Sequence, residues 1–148
     1  MKNKISKNFT MQEFIPSKEY YNIMVYKNSE DRFYRLVDPK IVSIAQFYRD
    51  YFGREVVINN WHTGGKFSLR GWRPQDTKIG AKFSQHKLGK AFDCNIKGLS
   101  DKEVYETILK NKELFYEKGV RRLEDIRYTT GWLHTDIKET NELKIFIP

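Results

Sequence analysis

Two of the chain's three histidines stand where they can share a task. In "SQHKLGKAFD", His86 precedes Asp93 by seven positions, with Gly89 between them as a turn, and "WLHTDI" sets His134 in a second apolar frame. Side chains on a strand alternate between its two faces. "AFDCNI" then places Ala91, Asp93 and Asn95 on one face, with Phe92, Cys94 and Ile96 on the other. "WLHTDI" places Trp132, His134 and Asp136 together, with Leu133, Thr135 and Ile137 pointing away. Two neighbouring strands can aim Asp93 and His134 at one point, and the Gly89 turn can fold His86 back over it. Three protein ligands with an open fourth position are the arrangement of a catalytic zinc, whereas structural zinc sites are closed by four ligands and rich in cysteine. Small Ala91 beside Asp93 leaves space above the metal. The competing explanation is a buried histidine bonded to an aspartate, which is common in protein cores.

The elements that must position these residues can be read from caps and periodicity. Thr10 and Glu13 in "NFTMQEF" have capping-box spacing, which predicts a short helix from Met11. "DPKIVSIAQFYRDYFG" predicts a helix with Asp38 as N-cap, Pro39 in the first turn and Gly53 as the stop. Its buried stripe is Ile41, Ile44, Ala45, Tyr48 and Phe52. "REVVINNW" and "KAFDCNI" read as strands, separated by a loop from Thr63 to Gln85. Ser100 and Glu103 cap a further helix that runs past Phe115 and stops at Gly119. "VRRLEDIRY", "GWLHTDIK" and "ELKIFIP" then read as three antiparallel strands. The expected fold class is α+β, a small antiparallel sheet with flanking helices, in one domain spanning 1–148.

Composition bounds the rest. The chain is 39% hydrophobic and 15% aromatic, which is globular despite 31% charged residues. A lone cysteine, Cys94, excludes an internal disulfide framework and suits a reducing cytoplasm; on its strand it is a small core hydrophobe. No signal peptide or transmembrane span is evident, so the expectation is synthesis in the cytoplasm and no membrane insertion. A net charge of +8 favours an anionic partner: nucleic acid, anionic lipid, or a cell wall rich in carboxylates and phosphates. Nucleic acid is disfavoured, because no helix carries a basic recognition stripe.

The motifs carry a resemblance. "SQHKLGKAFD" fits Ser-x-His-x-x-Gly-x-Ala-x-Asp and "WLHTD" fits Trp-x-His-x-Asp, and together they resemble the zinc D-Ala-D-Ala carboxypeptidase family and its phage endolysin relatives, which share the hedgehog/DD-peptidase fold. "NNWHTGGKFSLRGWRP" resembles that family's arginine-bearing loop, and "SKNFTMQEF" the opening helix of phage members. The resemblance implies one zinc ion per chain held by His86, Asp93 and His134, with Ser84 beside the substrate. It implies that Arg73, or its close competitor Arg70, holds a substrate carboxylate or carbonyl, a task suited to a two-pronged guanidinium.

One departure concerns the general base. Where the family has a glutamate three residues before the second histidine, or a histidine two before it, this chain has Gly131 and Trp132. A peptidase needs a group to take a proton from water and pass it to the leaving amine. Glu124, Asp125 and Asp136 are the candidates; Glu124 is the expected base, and Asp136 is better placed to orient His134. His62 either lines the cleft or is merely exposed. Trp61, Trp72 and Trp132 can form an aromatic wall for the substrate, with core packing the stronger expectation for Trp61 and Trp72. The expected function is a monomeric zinc peptidase of peptidoglycan stem peptides, a carboxypeptidase or endopeptidase of phage-lysin type, acting on the anionic wall after release. The alternative is a catalytically inactive metal-binding module of a phage or wall-associated assembly.

Overall fold

The computed structural model describes residues 3–148. Around a five-stranded sheet it places helices α1 (Ser17–Met24), α2 (Ser29–Leu36), α3 (Pro39–Phe52), α4 (Asp101–Lys110) and α5 (Lys112–Glu117). The strands are β1 (Val56–Val57), β2 (Ala91–Ile96), β3 (Arg122–Glu124), β4 (Leu133–Asp136) and β5 (Lys144–Phe146), in spatial order β1-β2-β4-β3-β5. The class is α+β, as expected. The sheet is mixed rather than antiparallel: β3 pairs with β4 antiparallel but with β5 parallel. Arg122, the first residue of β3, lies opposite both Asp136 and Lys144. The short connection from β4 therefore delivers β5 at the end where β3 also begins, and the two must run the same way.

Helix α3 forms where its caps predict. The Asp38 carboxylate accepts from Lys40 N–H at 2.9 Å, and Gly53 closes the helix at φ 63°. Ile41, Ile44, Ala45 and Tyr48 are buried against the sheet, while Phe52 is half-buried. Tyr48 and Thr135 join helix to strand through a buried hydroxyl pair at 2.8 Å. Phe92, Cys94, Leu123 and Leu133 complete this apolar layer. The single helix expected after Ser100 is two, because Asn111 leaves helical geometry (φ −125°, ψ 36°) and turns its amide onto the Thr107 carbonyl. The strand expected from "REVVINNW" is only Val56–Val57, because the Asn59 and Asn60 N–H groups leave the sheet for the Glu13 and Phe67 carbonyls. The helix expected at Met11 is one 3₁₀ turn, Met11–Glu13. Helices α1 and α2 form in addition to the elements expected from the sequence. No helix among the described residues is long and apolar enough to cross a membrane.

Two glycines matter to the site. Gly89 has φ 68°, and a Cβ there would lie 1.8 Å from the Leu36 carbonyl, so only glycine lets the turn after His86 press against α2. At Gly71 a Cβ would lie 2.2 Å from the Phe14 carbonyl, which also accepts the Trp72 N–H at 2.8 Å. The N-terminal segment thus braces the loop whose Gly71 carbonyl meets His86.

Candidate metal centre

The register of β2 and β4 sets Asp93 directly opposite His134, and Ala91 opposite Asp136. His86 arrives from a 3₁₀ turn, Gln85–Leu88, whose N-cap Ser84 accepts the His86 N–H at 3.2 Å. All three side chains are buried. His86 Nε2 lies 3.2 Å from Asp93 Oδ1 and 3.3 Å from His134 Nδ1, and His134 Nδ1 lies 2.9 Å from Asp93 Oδ1.

The outer hydrogen bonds determine what these three atoms can do. His86 Nδ1 sits 2.7 Å from the Gly71 carbonyl, which only accepts, so Nδ1 carries a hydrogen, and in the neutral ring Nε2 is the nitrogen that offers a lone pair. His134 Nε2 sits 2.9 Å from Asp136 Oδ2, which leaves His134 Nδ1 as the inward nitrogen. Arg73 donates to Asp93 Oδ2 at 3.1 Å, leaving Oδ1 for the centre. Three potential donor atoms converge on one point, close enough together for one cation to bridge them. One proton on His134 Nδ1 satisfies Asp93 but leaves His86 Nε2 aimed at the same place. A tetrahedral ion with bonds of about 2.0–2.1 Å sets its donor atoms roughly 3.3 Å apart. The observed edges are 2.9, 3.2 and 3.3 Å. The group can hold a metal ion.

Electrostatics agree with a cation-seeking site. Burial opposes charge on His134, but hydrogen bonds to Asp136 and Asp93, with both their charges, outweigh it and push its pKa up to about 9. Burial also opposes charge on Asp93, yet His86 and His134 hold it well below the usual carboxylate range. Asp136 is wholly buried; there too burial is opposed by bonds to His134 and Arg122, which keep its pKa low.

The centre forms one wall of a cleft of about 370 Å³. Glu124, Arg73, Ser84 and Trp132 line it. Glu124 ends β3, and continuing the pairs Arg122↔Asp136 and Leu123↔Thr135 brings it beside His134. It makes no ion pair among the described residues, and burial raises its pKa. Asp125 is turned elsewhere: it caps the next 3₁₀ turn and pairs with Arg127 at 2.8 Å. Arg73 lines the cleft, but its Nε donates to the Leu69 carbonyl at 2.7 Å and its Nη2 to Asp93. Arg70 does not line the cleft; its guanidinium bonds Asn95 and stacks 3.5 Å over the Phe67 ring. His62 is exposed, Trp72 packs against the core, and the Trp61 indole donates to the Ile15 carbonyl at 2.9 Å.

Sequence reasoning missed Arg122, Phe146 and the Gly71 carbonyl. Arg122 alternates with Glu124 on β3, a signal that they share a face, but its partner depends on register. Phe146 and the Gly71 carbonyl carry no local signal at all. No family model, no curated protein and no solved structure matches the chain.

Proposed function

We propose that the cleft is the active site of a zinc-dependent peptidase that hydrolyses peptidoglycan stem peptides, on a hedgehog/DD-peptidase-like fold. The observation that carries the metal is the convergence of His86 Nε2, Asp93 Oδ1 and His134 Nδ1 within bonding distance of one point. The peptide substrate rests on the motif resemblance, together with a cleft that places a carboxylate beside the centre. A divalent ion held there would polarise the scissile carbonyl and lower the pKa of water, which is why zinc suits hydrolysis.

The chain's own groups would do the remaining work. Glu124 stands free at the cleft wall, and its raised pKa suits a group that takes a proton at its carboxylate and returns it to the leaving amine. Asp136 keeps the His134 ring turned with Nδ1 inward. Arg73 offsets the Asp93 charge; its Nη1, which makes no hydrogen bond within the described residues, can meet a substrate oxygen from the Gly80 side. Ser84 stands beside the cleft and also holds the His86 turn. The basic surface suits an anionic wall, reached after release from the cytoplasm.

Purified muropeptides incubated with zinc-loaded protein and read by mass spectrometry test this reading. Loss of one alanine identifies a carboxypeptidase, and separated fragments identify an endopeptidase. Unchanged muropeptides, with metal bound, would instead support the inactive metal-binding module.

A further inference from the structure

We infer that Arg122 is a positioning residue for the metal centre, acting through Asp136, and that the C-terminal strand β5 holds it in place. The inference rests on the metal reading above, but concerns groups outside the ligand set.

Arg122 makes two hydrogen bonds to one carboxylate: Nε to Asp136 Oδ1 at 2.9 Å and Nη2 to Asp136 Oδ2 at 2.8 Å. This two-pronged geometry fixes the carboxylate plane as well as its place. The Asp136 side chain is 0% exposed and that of Arg122 18%, so water competes little for either group. Asp136 Oδ2 is the atom that meets His134 Nε2. Rotation of the Asp136 carboxylate would release the imidazole, and His134 Nδ1 would lose its aim at Asp93 Oδ1. A line of bonds thus runs from Arg122 through Asp136 and His134 to the centre.

The far side of Arg122 is closed by β5. Its guanidinium carbon lies 3.9 Å from the Phe146 ring centroid. The same ring meets His134 edge-on, centroids 5.5 Å apart. One aromatic side chain therefore packs both ends of the line, and it reaches them because β5 pairs parallel to β3 with Phe146 beside Glu124. Histidine ligands depend on such outer partners, whose loss weakens metal affinity by about 10–100-fold. Lysine has no planar fork, so it can keep the charge but not the plane of the carboxylate.

The test is zinc affinity by competition with a chromogenic chelator, with the melting temperature of each metal-free variant measured alongside. Wild type, Arg122→Leu, Arg122→Lys, Phe146→Leu, Asp136→Asn and the Arg122→Leu/Asp136→Asn double variant are compared. Arg122→Leu should weaken zinc binding about 10–100-fold. Arg122→Lys and Phe146→Leu should fall between it and wild type. The double variant should bind no more weakly than Asp136→Asn alone, because both changes cut the same line. Zinc affinity unchanged in Arg122→Leu, or additive losses in the double variant, would overturn the inference, as would a lower melting temperature as the only effect. If Arg122→Leu does not fold, Arg122→Lys takes its place, and unchanged affinity in that variant overturns the inference. Wild-type protein that binds no zinc overturns the metal reading itself, and the inference falls with it.

Discussion

The two faces of strands β2 and β4 are built from alternate residues of the same short segments, yet they do opposite things. On one face Phe92, Cys94 and Leu133 join the apolar core and Thr135 bonds Tyr48 of α3, which stabilises the fold. On the other, Asp93, His134 and Asp136 bring charged groups into a site nearly as dry. Burying charge is costly, and here the cost is offset by pairing: Arg73 on Asp93, Arg122 on Asp136, His134 between the two. The apolar face supports the same backbone on which the polar face brings His134 Nδ1 and Asp93 Oδ1 together with His86 Nε2. Changes on the polar face should alter chemistry while the fold survives, and changes on the apolar face should do the reverse.

The largest break in that comparison is His134→Ala. It removes one of the three proposed ligands while Arg73 and Arg122 still pair the carboxylates it leaves behind. Metal analysis should find the ion largely lost from a protein whose circular dichroism is unchanged. Full metal retention would end the ligand assignment.

Glu124→Gln comes next. The amide matches the carboxylate in shape but cannot take a proton, and general acid–base contributions run to about 10²–10⁴-fold. Turnover should fall by about that factor with the metal still bound, as steady-state kinetics on muropeptides would reveal. If instead Glu124→Gln turns over normally while Asp136→Asn is inactive and fully metallated, the base has been placed on the wrong carboxylate.

Metal-free His134 has its pKa pushed up to about 9, so below that pH a metal ion must displace a proton. Zinc affinity should therefore fall as pH falls, by about tenfold per unit for one displaced proton, and calorimetry in buffers of different ionisation enthalpy should count that proton. The same raised pKa stabilises the metal-free fold fully below the ordinary histidine value of 6.5, and that contribution is lost as pH rises through about 9. A zinc affinity that does not change between about pH 6 and pH 8 would contradict a proton held on His134.

The smallest effect belongs to the apolar face. Tyr48→Phe removes one buried hydroxyl and leaves Thr135 without its 2.8 Å partner. Loss of stability should be about 1–3 kcal/mol in urea denaturation. Zinc affinity should not change, because Thr135 points away from the centre; a parallel loss of affinity would show that the two faces are more tightly coupled than their alternation implies.

Much of the site is legible in the sequence. The alternation in "AFDCNI" and "WLHTDI" is a local property with period two, so it assigns Asp93 and His134 to shared faces and Cys94 and Leu133 to the core. The caps of α3 are equally local, since Asp38, Pro39 and Gly53 act within one turn of where they stand. The weaker features fail for a related reason. Asn111 interrupts a helix whose apolar spacing continues across it, and "REVVINNW" has strand composition but gives its backbone bonds to the N-terminal turn and the loop after it.

Candidate ligand types, the strand faces they occupy and the helix caps are local properties, each set by neighbours a few positions away. How those pieces meet is a matter of long-range pairing in the folded chain. That pairing set Asp93 opposite His134, gave Arg122 rather than another cation to Asp136, turned Asp125 away from the cleft, and ran β5 parallel to β3 so that Phe146 covers the site. Such choices depend on strand register and on packing between segments far apart in the chain, and a one-residue slip of register would move every one of these side chains to the other face.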